Sequence, residues 1–115
     1  MFKGLEELVK VIRERKSSSP DKSYTNKLLN DKNLSAEKVK EEIKELFQAV
    51  EKNTNKIHES ADVLYHLLVY LETNGIKIED VMDELKKRKK WFFLMSKIKN
   101  QNNLQTIFKI TIKNI

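Results

Sequence analysis

Two pairs of carboxylates carry the clearest chemistry in this 115-residue chain: Glu42 with Glu45, and Glu59 with Asp62. A helix turns about 100° per residue, so acids three apart project from one side of it. Acids seldom go inside a protein unpaired. If the two helices pack together, the four groups converge on one site and require a compensating cation. The chain has no cysteine and no pair of histidines one turn apart, so the ligands are hard oxygens. Such a set favours Mg2+, or Mn2+, over zinc. Glu41 falls on the opposite side of its helix. His66 shares a polar stripe with Glu59 and Asp62 and reads as a buried, satisfied histidine rather than a ligand, and His58 reads as surface. A di-iron bundle would need Glu-x-x-His twice, and the sequence has none. Glu-x-x-Glu on a lysine-rich helix ordinarily marks a solvated face. Glu59 and Asp62, on a helix otherwise nearly all apolar, are harder to explain that way.

The elements that must position these acids follow from hydrophobic spacing. Leu5, Leu8, Val9 and Ile12 mark a first helix that should fray near Lys16, followed by a loop over Ser17–Asp21. Ser23-Tyr24-Thr25 opens a short helix through Leu28 and Leu29. Ser35 has the residue type of an N-cap for a helix over 35–52, whose face is Val39, Ile43, Leu46, Phe47 and Val50. Lys52–Asn55 breaks it. The helix over 56–73 is apolar around most of its circumference and should be central and buried. Asn74-Gly75 supplies its stop. Ile78, Val81, Met82 and Leu85 mark a last helix, with acids in its first turn and Lys86–Lys90 crowding its end. Beyond it, Trp91–Met95 is a dense apolar cluster, and Phe108, Ile110 and Ile112 alternate with polar residues at strand spacing. The organisation is therefore a domain over residues 1–90 and an atypical tail over 91–115.

Composition bounds the fold. With 39% hydrophobic and 35% charged residues, two glycines and one proline, the chain lacks the turn punctuation of a sheet protein. An all-α helical bundle of about four to five helices is expected. So short a chain hides only about 60–70% of its unfolded surface, and wide apolar stripes would gain from a second copy, which points to a homodimer. The acids Glu6 and Glu7 and the lack of an apolar run argue against a signal peptide, and no stretch reaches about 18 apolar residues. A cytoplasmic protein is the expectation, with no membrane partner. The net charge of +6 is uneven: residues 1–90 hold 19 basic and 17 acidic side chains, and residues 91–115 hold four lysines and no acid. The basic balance is thus weak support for nucleic-acid binding.

The motif Glu42-x-x-Glu45, then Glu59-x-x-Asp62, resembles the metal motif of the all-α nucleoside-triphosphate pyrophosphatase (MazG-like) superfamily. Ser23–Leu29, Lys38–Glu42 and Glu59–Leu68 narrow the resemblance to phosphoribosyl-ATP pyrophosphohydrolase, and Gly75–Arg88 resembles that family's final helix. The similarity covers roughly residues 4–90; the tail has no counterpart. Lys40 stands where the family usually has a small residue. The resemblance implies a hydrolase converting phosphoribosyl-ATP to phosphoribosyl-AMP and pyrophosphate in the second step of histidine biosynthesis. It implies that Glu42, Glu45, Glu59 and Asp62 hold Mg2+, with one glutamate orienting or deprotonating the attacking water. Lys38, one turn before the first acid pair, is the lysine best placed for phosphate. Ser23, Tyr24, Thr25 and Lys27 are expected to close over the ribose or phosphates. Two alternatives stand beside this reading: a housekeeping nucleoside-triphosphate pyrophosphatase, and a helical nucleic-acid-binding or interaction module using Lys86–Lys90 and Trp91–Phe93.

Overall fold

The computed structural model describes residues 2–96, and among them are five α-helices, one 3-10 turn and no strand. In chain order these are α1 (Lys3–Glu14), the 3-10 turn Arg15–Ser17, α2 (Tyr24–Leu29), α3 (Lys32–Lys52), α4 (Lys56–Thr73) and α5 (Ile78–Ser96). The class is all-α. The chain divides into two compact units, Met1–Ile78 and Glu79–Ile115. In the second, α5 runs through Lys90 to Ser96, past the basic cluster at which the charge pattern ended it. The alternation over Phe108–Lys113 lies outside the described residues. No helix among the described residues is long and apolar enough to cross a membrane.

Local chemistry sets the helix ends of the first unit. Ser23 caps α2 by accepting the Asn26 N–H at 3.2 Å. Asp31 caps α3 through the Leu34 N–H at 3.0 Å, so α3 begins before Ser35. Ser35 is not the cap its residue type indicates. An ionised carboxylate at the positive end of the helix dipole makes a strong cap. Ser35 instead lies buried inside the helix, its hydroxyl 3.5 Å from that of Thr73. At the end of α4, Gly75 takes φ 70° and the chain closes with Ile76 N–H to Leu71 O at 2.9 Å and Gly75 N–H to Glu72 O at 3.2 Å. Asn53, with φ 55°, ends α3 by the same pattern of bonds.

Only Asn53–Asn55 separate α3 from α4, so the two form an antiparallel hairpin. The Ser35–Thr73 contact fixes its register. About two turns inward from that contact, Glu42 comes level with His66, and one turn further Glu45 reaches the Asp62 turn. The inward stripe of α3 is Ser35, Val39, Glu42, Leu46 and Ala49, all buried or half-buried. Ile43, Phe47 and Val50, expected on that face, are exposed, Phe47 by 70%. The same correction applies to α4, which is only partly a buried helix: Leu64 is 53% exposed and Ile57 88%. Hydrophobic periodicity marks a face that avoids water without saying what covers it. The arcs on α3 and α4 are wider than the two helices can cover for each other.

The other side of α4 places Leu68 and Val69 against Val9 and Ile12 of α1 and Leu28 of α2, the core of the unit. Asn26 closes the 3-10 turn onto α2. Its buried amide donates to Arg15 O at 2.8 Å and Lys16 O at 3.3 Å and accepts from Asn30 Nδ2 at 3.0 Å. Glu72 then ties α1 and the 3-10 turn to α4, with Arg13 Nε at 2.8 Å and Lys16 Nζ at 2.9 Å. Burial alone would raise the Glu72 carboxyl, but the hydrogen bonds and charges of Lys16 and Arg13 outweigh it and hold it below the ordinary carboxylate value. Its stabilisation is therefore full above the unfolded carboxylate pKa and is lost as pH falls through the lower folded value. Both cations keep solvent contact, so Glu72→Gln is expected to cost about 1–2 kcal/mol at pH 7, less than a fully buried pair. Urea titrations at pH 7 and pH 3 check this: the gap between variant and wild type should narrow at the lower pH.

Candidate active site

The hairpin brings the sequence-predicted acids together. Glu42, Glu45 and Glu59 each present one carboxylate oxygen, all within 4.8 Å of one another. Glu59 also belongs to a second group of that size with Asp62 and His58. It therefore links all four acids. Asp62 Oδ2 lies 3.3 Å from His58 Nε2. His58 is on the surface as expected, 73% exposed, and its spacing four residues before Asp62 on one helix is the signal for this contact. Glu41 points away, 3.1 Å from Lys38 Nζ.

The electrostatics of the cluster are unfavourable as they stand. Burial raises the Glu42 carboxyl above its ordinary value and the Glu45 charge raises it further, against an opposing effect of His66. Glu59 is raised in the same way, by burial first and then by Glu45, with His58 opposing. Glu42 Oε2 and Glu59 Oε2 are both buried without a hydrogen-bond partner. Buried carboxylate oxygens normally find donors. Two orphaned oxygens inside one carboxylate cluster are what a hard divalent cation satisfies, so the residues present fit such an ion.

The predicted substrate-side residues sit on α2 and early α3. Lys38 lies within electrostatic reach of Tyr24 and Glu42, and its contact with the Glu41 carboxylate raises its pKa. The Tyr24 hydroxyl is 3.1 Å from His66 Nε2, and Thr25 Oγ1 hydrogen-bonds the Tyr65 hydroxyl. Ser23 is occupied as the α2 cap, and Lys27 is exposed on α2. His66 is a buried, satisfied histidine as expected, with its Nδ1 2.8 Å from the Asp62 carbonyl.

A family model described as phosphoribosyl-ATP pyrophosphohydrolase matches residues 5–89, which include all four acids. The chain belongs to that family. A relative from Allorhizobium ampelinum named phosphoribosyl-ATP pyrophosphatase is 45% identical over 87 residues, covering 73% of this chain and 84% of the relative. One of the same name from Clostridium novyi is 45% identical over 92 residues, 75% of this chain and 81% of that one. A third, from Halobacterium salinarum, is 42% identical over 95 residues and is matched over its whole length, by 77% of this chain. In Kluyveromyces lactis the similar segment makes up 10% of a histidine biosynthesis trifunctional protein, so this family module also occurs within longer chains. No solved structure gives a significant match.

Proposed function

We propose that this chain hydrolyses phosphoribosyl-ATP to phosphoribosyl-AMP and pyrophosphate, the second step of histidine biosynthesis, with Mg2+ or Mn2+ held by Glu42, Glu45, Glu59 and Asp62. The observation that carries the reading is the pair of orphaned buried oxygens on Glu42 and Glu59, within a cluster lying wholly in the family-matched segment. When bound, the cation offsets the charge that carboxylates and triphosphate would otherwise set against each other. The chain's own residues do the rest. One of the glutamates, left partly unliganded, orients water and accepts its proton. That water attacks phosphorus, the bridging P–O bond between the α and β phosphates breaks, and pyrophosphate leaves. Lys38 is assigned to the phosphate chain. Tyr24 and Thr25, with Ser23 and Lys27 beside them, are assigned to the substrate's edge of the site.

The exposed arc of Ile43, Phe47 and Val50 on α3, with Ile57, Leu64 and Leu67 on α4, supports a homodimer completed across this face. The catalytic domain is placed in residues 1–90, with 91–115 as a tail, and a cytoplasmic location suits a substrate made from ATP. The test is pyrophosphate release from phosphoribosyl-ATP with Mg2+, beside a panel of nucleoside triphosphates. Preferential turnover of phosphoribosyl-ATP is expected. Preference for the panel would keep the hydrolytic chemistry and reassign the chain to nucleotide housekeeping.

A further inference from the structure

Helix α2, Tyr24–Leu29, carries residues assigned to the substrate's edge of the site, and its two sides are held by different means. At about 100° per residue, Tyr24, Thr25 and Leu28 share one side. Leu28 is fully buried in the core with Leu68 and Val69 of α4. The Tyr24 hydroxyl is 3.1 Å from His66 Nε2, and Thr25 Oγ1 hydrogen-bonds the Tyr65 hydroxyl. Asn26 projects from the other side, onto the 3-10 turn, and is 1% exposed. Its Nδ2 donates to Arg15 O at 2.8 Å and to Lys16 O at 3.3 Å, while its Oδ1 accepts from Asn30 Nδ2 at 3.0 Å. The amide hydrogens and the amide oxygen are thus all engaged.

The two anchors differ in kind. Burial of Leu28 is non-directional and leaves a helix this short free to turn about its axis. Hydrogen bonds are directional, so Asn26 sets that rotation. Six residues of helix have little stability of their own. The turn that Asn26 grips is itself fixed, because Glu72 of α4 holds the Lys16 ammonium at 2.9 Å. Tyr24 and Thr25 open the helix, and any rotation of α2 carries them away from His66 and Tyr65.

We propose that Asn26 is a positioning residue for substrate binding: by fixing the rotation of α2 it holds Tyr24 and Thr25 at the edge of the carboxylate site. The inference rests on the phosphoribosyl-ATP reading and deepens it. Asn26 touches none of the four acids, so its loss weakens substrate binding and leaves metal binding intact.

The experiment measures turnover of phosphoribosyl-ATP by the full chain across a Mg2+ series. Asn26→Ala removes the amide, and alanine, the best helix former, leaves the propensity of α2 no weaker. Arg15 O keeps the Ser18 N–H at 3.1 Å. KM should rise about tenfold, the effect of one lost hydrogen bond. Its kcat should stay within about twofold, and the Mg2+ concentration giving half the maximal rate should not move. Asn30→Ala removes the donor to Asn26 Oδ1 and leaves the buried amide in place, so KM should rise less, by about twofold to threefold. Glu72→Gln controls for stability alone: it weakens the same unit without touching α2, and its KM should match wild type. In a chain already carrying Tyr24→Ala and Thr25→Ala, Asn26→Ala should add less than about twofold, because the side chains it positions are gone. The inference is overturned by an unmoved KM in Asn26→Ala or, where that chain does not fold, in Asn30→Ala. It is equally overturned by the same rise in Glu72→Gln, or by effects that multiply independently in the triple variant. Wild-type protein that does not turn over phosphoribosyl-ATP overturns the proposed function itself, a different result from an unmoved KM in an active enzyme.

Discussion

Glu42→Gln is expected to lower kcat for phosphoribosyl-ATP by about 10²–10⁴-fold, the range for a lost catalytic base or its equivalent. The amide preserves shape and removes the charge, so the loss reports electrostatics rather than packing. Folding should respond in the opposite sense. In wild type without metal, Glu42 is half-buried beside Glu45 and raised in pKa by that burial and by the repulsion. A carboxyl with a raised folded pKa costs stability above that pKa, and the cost is relieved as pH falls through it. The metal-free variant should therefore melt at least as high as wild type near pH 7. Wild type should gain about 2.7 kcal/mol from Mg2+ at a hundred times its Kd, and the variant should gain much less. Activity within about threefold of wild type would remove Glu42 from the chemistry. A normal Mg2+ shift with lost activity would keep it as base and remove it as ligand.

The second large effect is on association. Phe47 is 70% exposed on one chain, beside Val50 and Ile43 on the same side of α3. Burying a phenylalanine contributes about 1.5–3 kcal/mol, and a two-fold interface counts it twice. Phe47→Asp should then weaken the dimer by roughly 10²–10⁴-fold in Kd, before the cost of burying two carboxylates. Sedimentation or light scattering across a concentration series measures this. A strictly monomeric wild type would refute the dimer, and an unweakened dimer in the variant would locate its interface elsewhere. Leu64→Glu, on the exposed side of α4, should act in the same direction.

Particular residues show why some features were legible in the sequence and others were not. The α4 limits, Lys56–Thr73, follow from an asparagine-rich break and an Asn-Gly stop, both of which are properties of a few adjacent residues. The cap of α3 was misplaced because Asp31 and Ser35 both suit the role, and only the Thr73 contact shows where Ser35 goes. Glu72 gave no sign of its importance, since its partners Arg13 and Lys16 lie far away in sequence. The same holds for Tyr24 and His66, 42 residues apart.

The sequence by itself determined that residues 2–96 are mainly helical, where most helices run, and that Glu42 with Glu45, and Glu59 with Asp62, share one side of their own helices. These are consequences of spacing, which a helix converts directly into direction. Tertiary structure decided which part of each apolar arc meets its neighbour in the chain and which is left outside, because burial is a property of pairs of surfaces. It alone showed that Glu42 and Glu59 keep buried oxygens without donors. A carboxylate's need for a cation depends on every other group around it, and those groups come from parts of the chain whose meeting no local pattern encodes.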